Sequence, residues 1–309
     1  MTAGSLLDRA PAPSLVAAGA VSVQFGAALA TGLFDRVGPA GAVTLRVLFA
    51  AAVLAVAVRP RPSLVRRLPR RRADLAVVVA FGLVLGGMNL HFYASIARIP
   101  LGVAVTVEFV GPLAVTIGGS RRRLDLLWAA LVAAGVLLLA GPGLLGGHRH
   151  LDPVGVGLAL GAGACWAAYI LLSTQTGRRF PGSTGLALSM VVAAVALLPV
   201  GLATAGARLW HPAVLAVGLA VAVLSSALPY SLELAALRRL TPRAFGILAS
   251  LDPAVAALAG LLVLGQHLSL TELGALVAVA VANAGSSAVD ARRQRAGPSD
   301  ELAATARLG

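Results

Sequence analysis

Runs of about twenty apolar residues recur along the whole chain, separated by short gaps that hold most of its arginine. No water reaches the hydrocarbon layer of a membrane, so a backbone that crosses it must satisfy its own polar groups, as an α-helix does. At 1.5 Å rise per residue, about twenty residues cover a core of ~30 Å. The runs predict ten spans, at 15–33, 41–58, 75–97, 101–118, 126–145, 153–174, 183–203, 212–237, 244–264 and 270–289. Of the 309 residues, 58% are hydrophobic and 12% charged, against about 25% charged in soluble domains. No soluble core hides that much apolar surface, so the solvent of this fold is lipid. The expected fold class is an all-α integral membrane protein with ten transmembrane helices.

Several runs carry start signals. Asp74, Asp125, and Asp152 before Pro153 read as N-caps and a first-turn proline. Ser269-Leu270-Thr271-Glu272 reads as a capping box. These carboxylates have structural work and are not counted as functional. Arginine in alternate gaps sets the orientation. With the N-terminus inside, twenty arginines fall on the cytoplasmic side and four (Arg36, Arg98, Arg149, Arg208) outside. That bias predicts an even number of spans with both ends cytoplasmic. All 25 basic residues are arginine and the net charge is +13. Their placement in gaps, without interleaved aromatics, argues against nucleic acid. The seven arginines from Arg59 to Arg72 suit either topology setting or binding of anionic lipid. The lone Cys165 excludes an intrachain disulfide and lies in an apolar run. Arg9, an apolar stretch and Ala28-Leu29-Ala30 have the outline of a signal peptide. Residues 15–33 are instead expected to be a retained first helix, because cleavage would remove one span.

The two halves resemble each other. Arg98-Ile99-Pro100-Leu101 and Pro112 lie 141 positions before Arg239-Leu240-Thr241-Pro242 and Pro253. Leu124 to Gly141 matches Leu268 to Gly285 in apolar pattern at an offset three residues longer. Five spans per half give the halves opposite topology, the inverted repeat common in secondary transporters, whose substrate site lies at the repeat interface near mid-membrane.

Once the caps are set aside, Arg46, Glu108, Glu233 and Asp252 are the charged side chains within spans. Ionisable residues at membrane depth are functional candidates by default. Arg46 suits either an ion pair with a carboxylate or a solute carboxylate. Glu233 is within snorkelling reach of Arg238 or Arg239. Glu108 and Asp252 precede Pro112 and Pro253, and Glu108 is the expected protonatable group, with Asp252 and Glu233 as further proton-coupling candidates. Pro112 also leaves the Glu108 carbonyl without a helical N–H partner. Asn89 and Tyr93, four apart, share a helix face that His91 does not. Trp166 and Tyr169, and Tyr230 and Glu233, are spaced by three. Arg46, Asn89, Tyr93, Trp166, Tyr169 and Tyr230 are therefore the expected cavity residues, with Gln24 and Asn283 as weaker signals. Gly157-Leu158-Ala159-Leu160-Gly161 suits close helix packing. His148, Arg149 and His150 lack a third ligand for a metal. No P-loop, H-E-x-x-H, G-x-S-x-G or cysteine pair is present, which argues against an enzyme, a cofactor or ATP-driven transport by this chain alone.

Leu45-Arg46, Met88 to Val115, Ala164-Cys165-Trp166-Ala167-Ala168-Tyr169 and Leu224 to Ser269 resemble the EamA branch of the drug/metabolite transporter superfamily. Within it, the inner-membrane threonine/homoserine exporters are the nearest likeness. The P-L-G-x-A-V-x-x-E-F-x-G-P-L and L-P-Y-S-L-E segments carry it, across residues 15–289. The resemblance implies two EamA-like five-helix repeats, at 15–145 and 153–289, flanked by cytoplasmic segments 1–14 and 290–309. It implies a central cavity and proton-coupled efflux of small amino acids or related metabolites across the inner membrane. Similar exporters often have glutamate where this chain has Asp252, which shortens the acid by one methylene. The same architecture would serve a transporter of a different metabolite or drug. A sensor would be expected to carry an appended domain, and the stretch after Asp290 is short and polar.

Overall fold

The computed structural model describes residues 10–58, 72–118, 151–180, 184–229 and 248–295, with single positions at 127, 130, 131, 134, 135, 232, 236, 239, 240 and 245. These residues hold helices and no strand. In chain order they are α1 (Ala12–Thr31), α2 (Phe34–Val58), α3 (Arg72–Ile96), α4 (Leu101–Glu108), α5 (Val110–Gly118), α6 (Pro153–Arg179) and α7 (Thr184–Ala205). A 3-10 turn (Gly206–Trp210), α8 (Pro212–Ala222), a π-helical turn (Val223–Ala227), α9 (Asp252–Leu264) and α10 (Leu270–Arg295) complete the order. Five stretches of the described residues are long and apolar enough to cross a membrane, and four shorter apolar helices accompany them. The expected span at 126–145 lies almost wholly outside the described residues.

The ends of the helices follow from their sequences, with three corrections. Asp152 caps α6 as expected, its carboxylate accepting the Val154 N–H at 2.9 Å, with Pro153 in the first turn. Ser269 and Glu272 exchange both bonds of the capping box, at 2.6 and 3.2 Å. Asp74, read above as a cap, lies inside the first turn of α3, because the helix already begins at Arg72. Its carboxylate instead accepts a bond from Arg179 at 2.9 Å. The second span begins at Phe34, seven residues before its expected start. It is kinked at Gly38, whose φ of 69° suits glycine, just before Pro39. The span expected at 244–264 is broken: a turn at Ser250 and Leu251 precedes α9, which opens on Asp252-Pro253.

Small residues let the helices approach closely, as lipid-embedded bundles require. A Cβ on Gly82 would meet the Ser189 carbonyl at 2.6 Å, and one on Gly102 would meet Ala257 Cα at 2.8 Å. In the glycine pair named above, Gly161 packs under the His91 ring, whereas Gly157 faces open space. Hydroxyls add interhelical bonds, from Ser95 Oγ to the Gly155 carbonyl at 2.8 Å and from Ser189 Oγ to the Val78 carbonyl at 3.1 Å. The loop before α10 reaches back to α4, whose Leu101 N–H donates to Gln266 Oε1 at 3.0 Å. Helix α3 runs along α6 and α7, α2 along α7, and α9 against both α1 and α4.

Two ion pairs tie α3 to α6. Asp74 and Arg179 join the start of one to the end of the other. Arg98, just past α3, holds Asp152 at 2.9 Å just before α6. The Arg98 guanidinium, and then the Val154 N–H, keep the Asp152 carboxyl below its ordinary value of 3.8.

Candidate functional site

The interruption within residues 101–118 positions the first acid. Pro112 has no N–H to give the Glu108 carbonyl, so the helical ladder loosens there and Phe109 forms a turn between α4 and α5. The exposed carbonyl is covered by α6, where Gly163 brings its backbone so near that a Cβ would lie 2.6 Å from the Glu108 oxygen. Gly111 faces Gly163 in turn, and neither position has room for a side chain. The second interruption, at Ser250 and Leu251, stands 141 positions after Phe109. Glu108 closes the helix before the first break, and Asp252 opens the helix after the second.

Both acids border one cavity of about 440 Å³. Its wall draws on α1 (Gln24), α2 (Arg46), α3 (Asn89), α6 (Trp166, Tyr169), the π turn (Ser225) and α10 (Asn283). Glu108 is 9% exposed, and Arg46 and Asp252 are the other charged residues of the cavity wall among the described residues.

Arg46 is the cation of this cavity among the described residues. Its guanidinium carbon stands 5.5 Å from the centre of the Tyr93 ring, a cation–π distance. One Nη donates to the Ser225 carbonyl at 3.3 Å, and the other reaches the Tyr93 hydroxyl at 3.5 Å. The π turn supplies that carbonyl, and single π turns recur at functional sites because the widened ladder frees backbone groups.

The aromatic residues divide into wall and support. Trp166 meets Phe109 edge-on at 4.9 Å, and Tyr169 leans on Phe81 at 5.1 Å. Tyr93 is fully buried beneath Arg46, between Phe34 and Phe92, and does not line the cavity. Asn89 lines it, with its amide tied back to the Leu85 carbonyl at 2.8 Å. His91 turns away and bonds the Gly87 carbonyl through Nδ1 at 2.7 Å. Tyr230 and Glu233 lie outside the described residues. Ser225, Phe109 and Phe245 are wall residues that sequence reasoning did not single out. Two serines inside an apolar span were the available signal for the first. Among the described residues no cluster of histidine, cysteine and carboxylates could hold a metal.

Membrane-length helices surrounding a cavity with a cation, two acids and aromatic walls define a multi-pass membrane transporter. A family model described as "EamA-like transporter family" matches residues 153–287. The threonine/homoserine exporters RhtA of Escherichia coli (strain K12) and Salmonella typhimurium (strain LT2) are each 44% identical over 269 residues, covering 86% of this chain and 88% of theirs. The chain belongs to the EamA-like transporter family, and is a transporter rather than an enzyme. One solved crystal structure shares its fold, with a TM-score of 0.57 at 21% identity, over 91% of this chain and 97% of that one.

Proposed function

We propose that this chain is a secondary transporter that exports threonine, homoserine or similar small amino acids across the inner membrane, coupled to protons. The observation that carries the reading is the shared cavity of Arg46, Glu108 and Asp252. An amino acid is a zwitterion, and burying it unpaired is expensive. Arg46 offers a planar fork for its carboxylate, and either acid can take its ammonium. The exporters that resemble this chain over most of their length support the same solute class. Glu108 is the group through which a proton would be exchanged, with Asp252 and the undescribed Glu233 as further candidates.

The proposed architecture is ten helices in two inverted repeats, 15–145 and 153–289, with segments 1–14 and 290–309 cytoplasmic. The packing supports it. Contact of α3 with α6 has a counterpart in α8 with α1, and contact of α3 with α7 has one in α8 with α2. The breaks at Phe109 and Ser250, one in each half, support it too. Broken helices from two repeats are how secondary transporters build a midplane site.

Counterflow in proteoliposomes tests the proposal. Vesicles are preloaded in turn with threonine, homoserine and an unrelated amino acid, with and without a pH gradient. Selective flux of the first two that follows the gradient is the expected result. Correctly folded protein that moves neither overturns the solute assignment, and flux indifferent to the gradient overturns the coupling.

A further inference from the structure

Two residues of the cavity wall, Gln24 and Ser225, each hold a side-chain oxygen out of water. Gln24 Oε1 and Ser225 Oγ are buried and have no hydrogen-bond partner among the described residues. Both residues border the cavity, and they are 4% and 3% exposed. Buried polar atoms are rarely left unbonded without a reason, and a role in binding is one. We propose that Gln24 and Ser225 form the subsite that reads the side-chain hydroxyl of the transported amino acid. The inference rests on the amino-acid export proposed above and names the residues that would set its specificity.

The chemistry of the pair fits a hydroxyl. An amide oxygen only accepts, whereas a serine hydroxyl both donates and accepts. A ligand O–H can therefore donate to Gln24 Oε1 while accepting from Ser225. A methyl group in the same place leaves both protein oxygens unbonded. The location fits as well. The carbonyl of Ser225 holds Arg46 at 3.3 Å, so the hydroxyl of the same residue adjoins the proposed carboxylate site. In threonine, only Cα and Cβ separate the carboxylate carbon from the hydroxyl. Gly26 on α1 admits the Ser225 hydroxyl, because a Cβ there would collide with it. The neighbouring Ser22 hydroxyl bonds the Leu224 carbonyl at 2.6 Å and anchors α1 to the π turn.

Valine is the probe, since it replaces the threonine hydroxyl with a methyl at nearly constant shape. Competitive counterflow in proteoliposomes of the full chain measures the ratio of threonine to valine flux. A site built to bond a hydroxyl rejects the analogue that lacks it, so the ratio should be at least about tenfold in the unaltered protein. It should fall to within about threefold of unity in Ser225→Ala and in Gln24→Met. If either variant fails to fold, the other carries the test, and thermal stabilisation by each amino acid in detergent gives a second readout. Unchanged ratios in the variants, or no preference in the unaltered protein while it still exports threonine, overturn the subsite alone. Absence of both threonine and homoserine flux overturns the export reading and the subsite with it.

Discussion

Glu108 and Gly163 meet backbone to backbone, with the position of a Gly163 Cβ only 2.6 Å from the Glu108 carbonyl oxygen. The carbonyl is there because Pro112 cannot bond it, and the glycine is there because no side chain would fit. A Cα–H can lean on such an oxygen as a weak donor. One proline and one glycine, on different helices, thus jointly set how closely α6 approaches the backbone at Glu108.

Gly163→Ala should push α6 away from α4 and destabilise the fold by about 1–3 kcal/mol, the usual range for overpacking. Gly157→Ala, on the same helix but facing open space, should be neutral or gain up to about 1 kcal/mol from helix propensity. Thermal melts of the two variants in detergent make the comparison. Equal melting temperatures would remove the close contact as a constraint.

Removing the fork of Arg46 should cost transport even where its charge is kept. Arg46→Lys keeps the cation but cannot form two parallel bonds to a carboxylate. It should lower threonine counterflow at least about tenfold, roughly 1.4 kcal/mol. Tyr93→Phe keeps the ring beneath the guanidinium and should cost less than Tyr93→Leu, which loses it. Flux ratios among the three variants decide the order.

Glu108→Gln preserves shape and removes the exchangeable proton. Insertion and melting should survive, while the dependence of threonine flux on an imposed pH gradient disappears. Gradient-driven flux that persists in this variant would move the proton to another group, with Asp252→Asn the next variant to measure.

The Asp152 carboxyl is held below its ordinary value of 3.8, chiefly by Arg98. Its contribution to stability is therefore fully present above that ordinary value and is lost as pH falls through the lowered one. Asp152→Asn keeps an oxygen for the α6 cap but has no such titration. Melting curves taken from pH 6 downward should converge for the two proteins at the acid end.

Much of this was legible in residue order because lipid permits few solutions. Several span positions follow from apolar length, and the alignment of Pro112 with Pro253 marked corresponding places in the two halves, but the break before Asp252 was not expected. Arg46, Glu108 and Asp252 stand out because charge at membrane depth is rare. The rest depended on neighbours far apart in sequence. Helical spacing put Tyr93 on a face with Asn89, but only the approach of α2 shows that it supports Arg46 from beneath. Asp74 carries a good capping side chain, yet Arg179, 105 positions later, decides its partner. The π turn has no local signature, so the two serines in an apolar span were visible but the bond from Arg46 to the Ser225 carbonyl was not.

The ion pairs at the two ends of α3 and α6 act as rivets between these helices. A pair of levers fastened at both tips resists opening like a book along that seam by about 0–1 kcal/mol per exposed pair. In the proposed export, movement that pivots about α3 and α6 keeps both rivets, and movement that parts them breaks one.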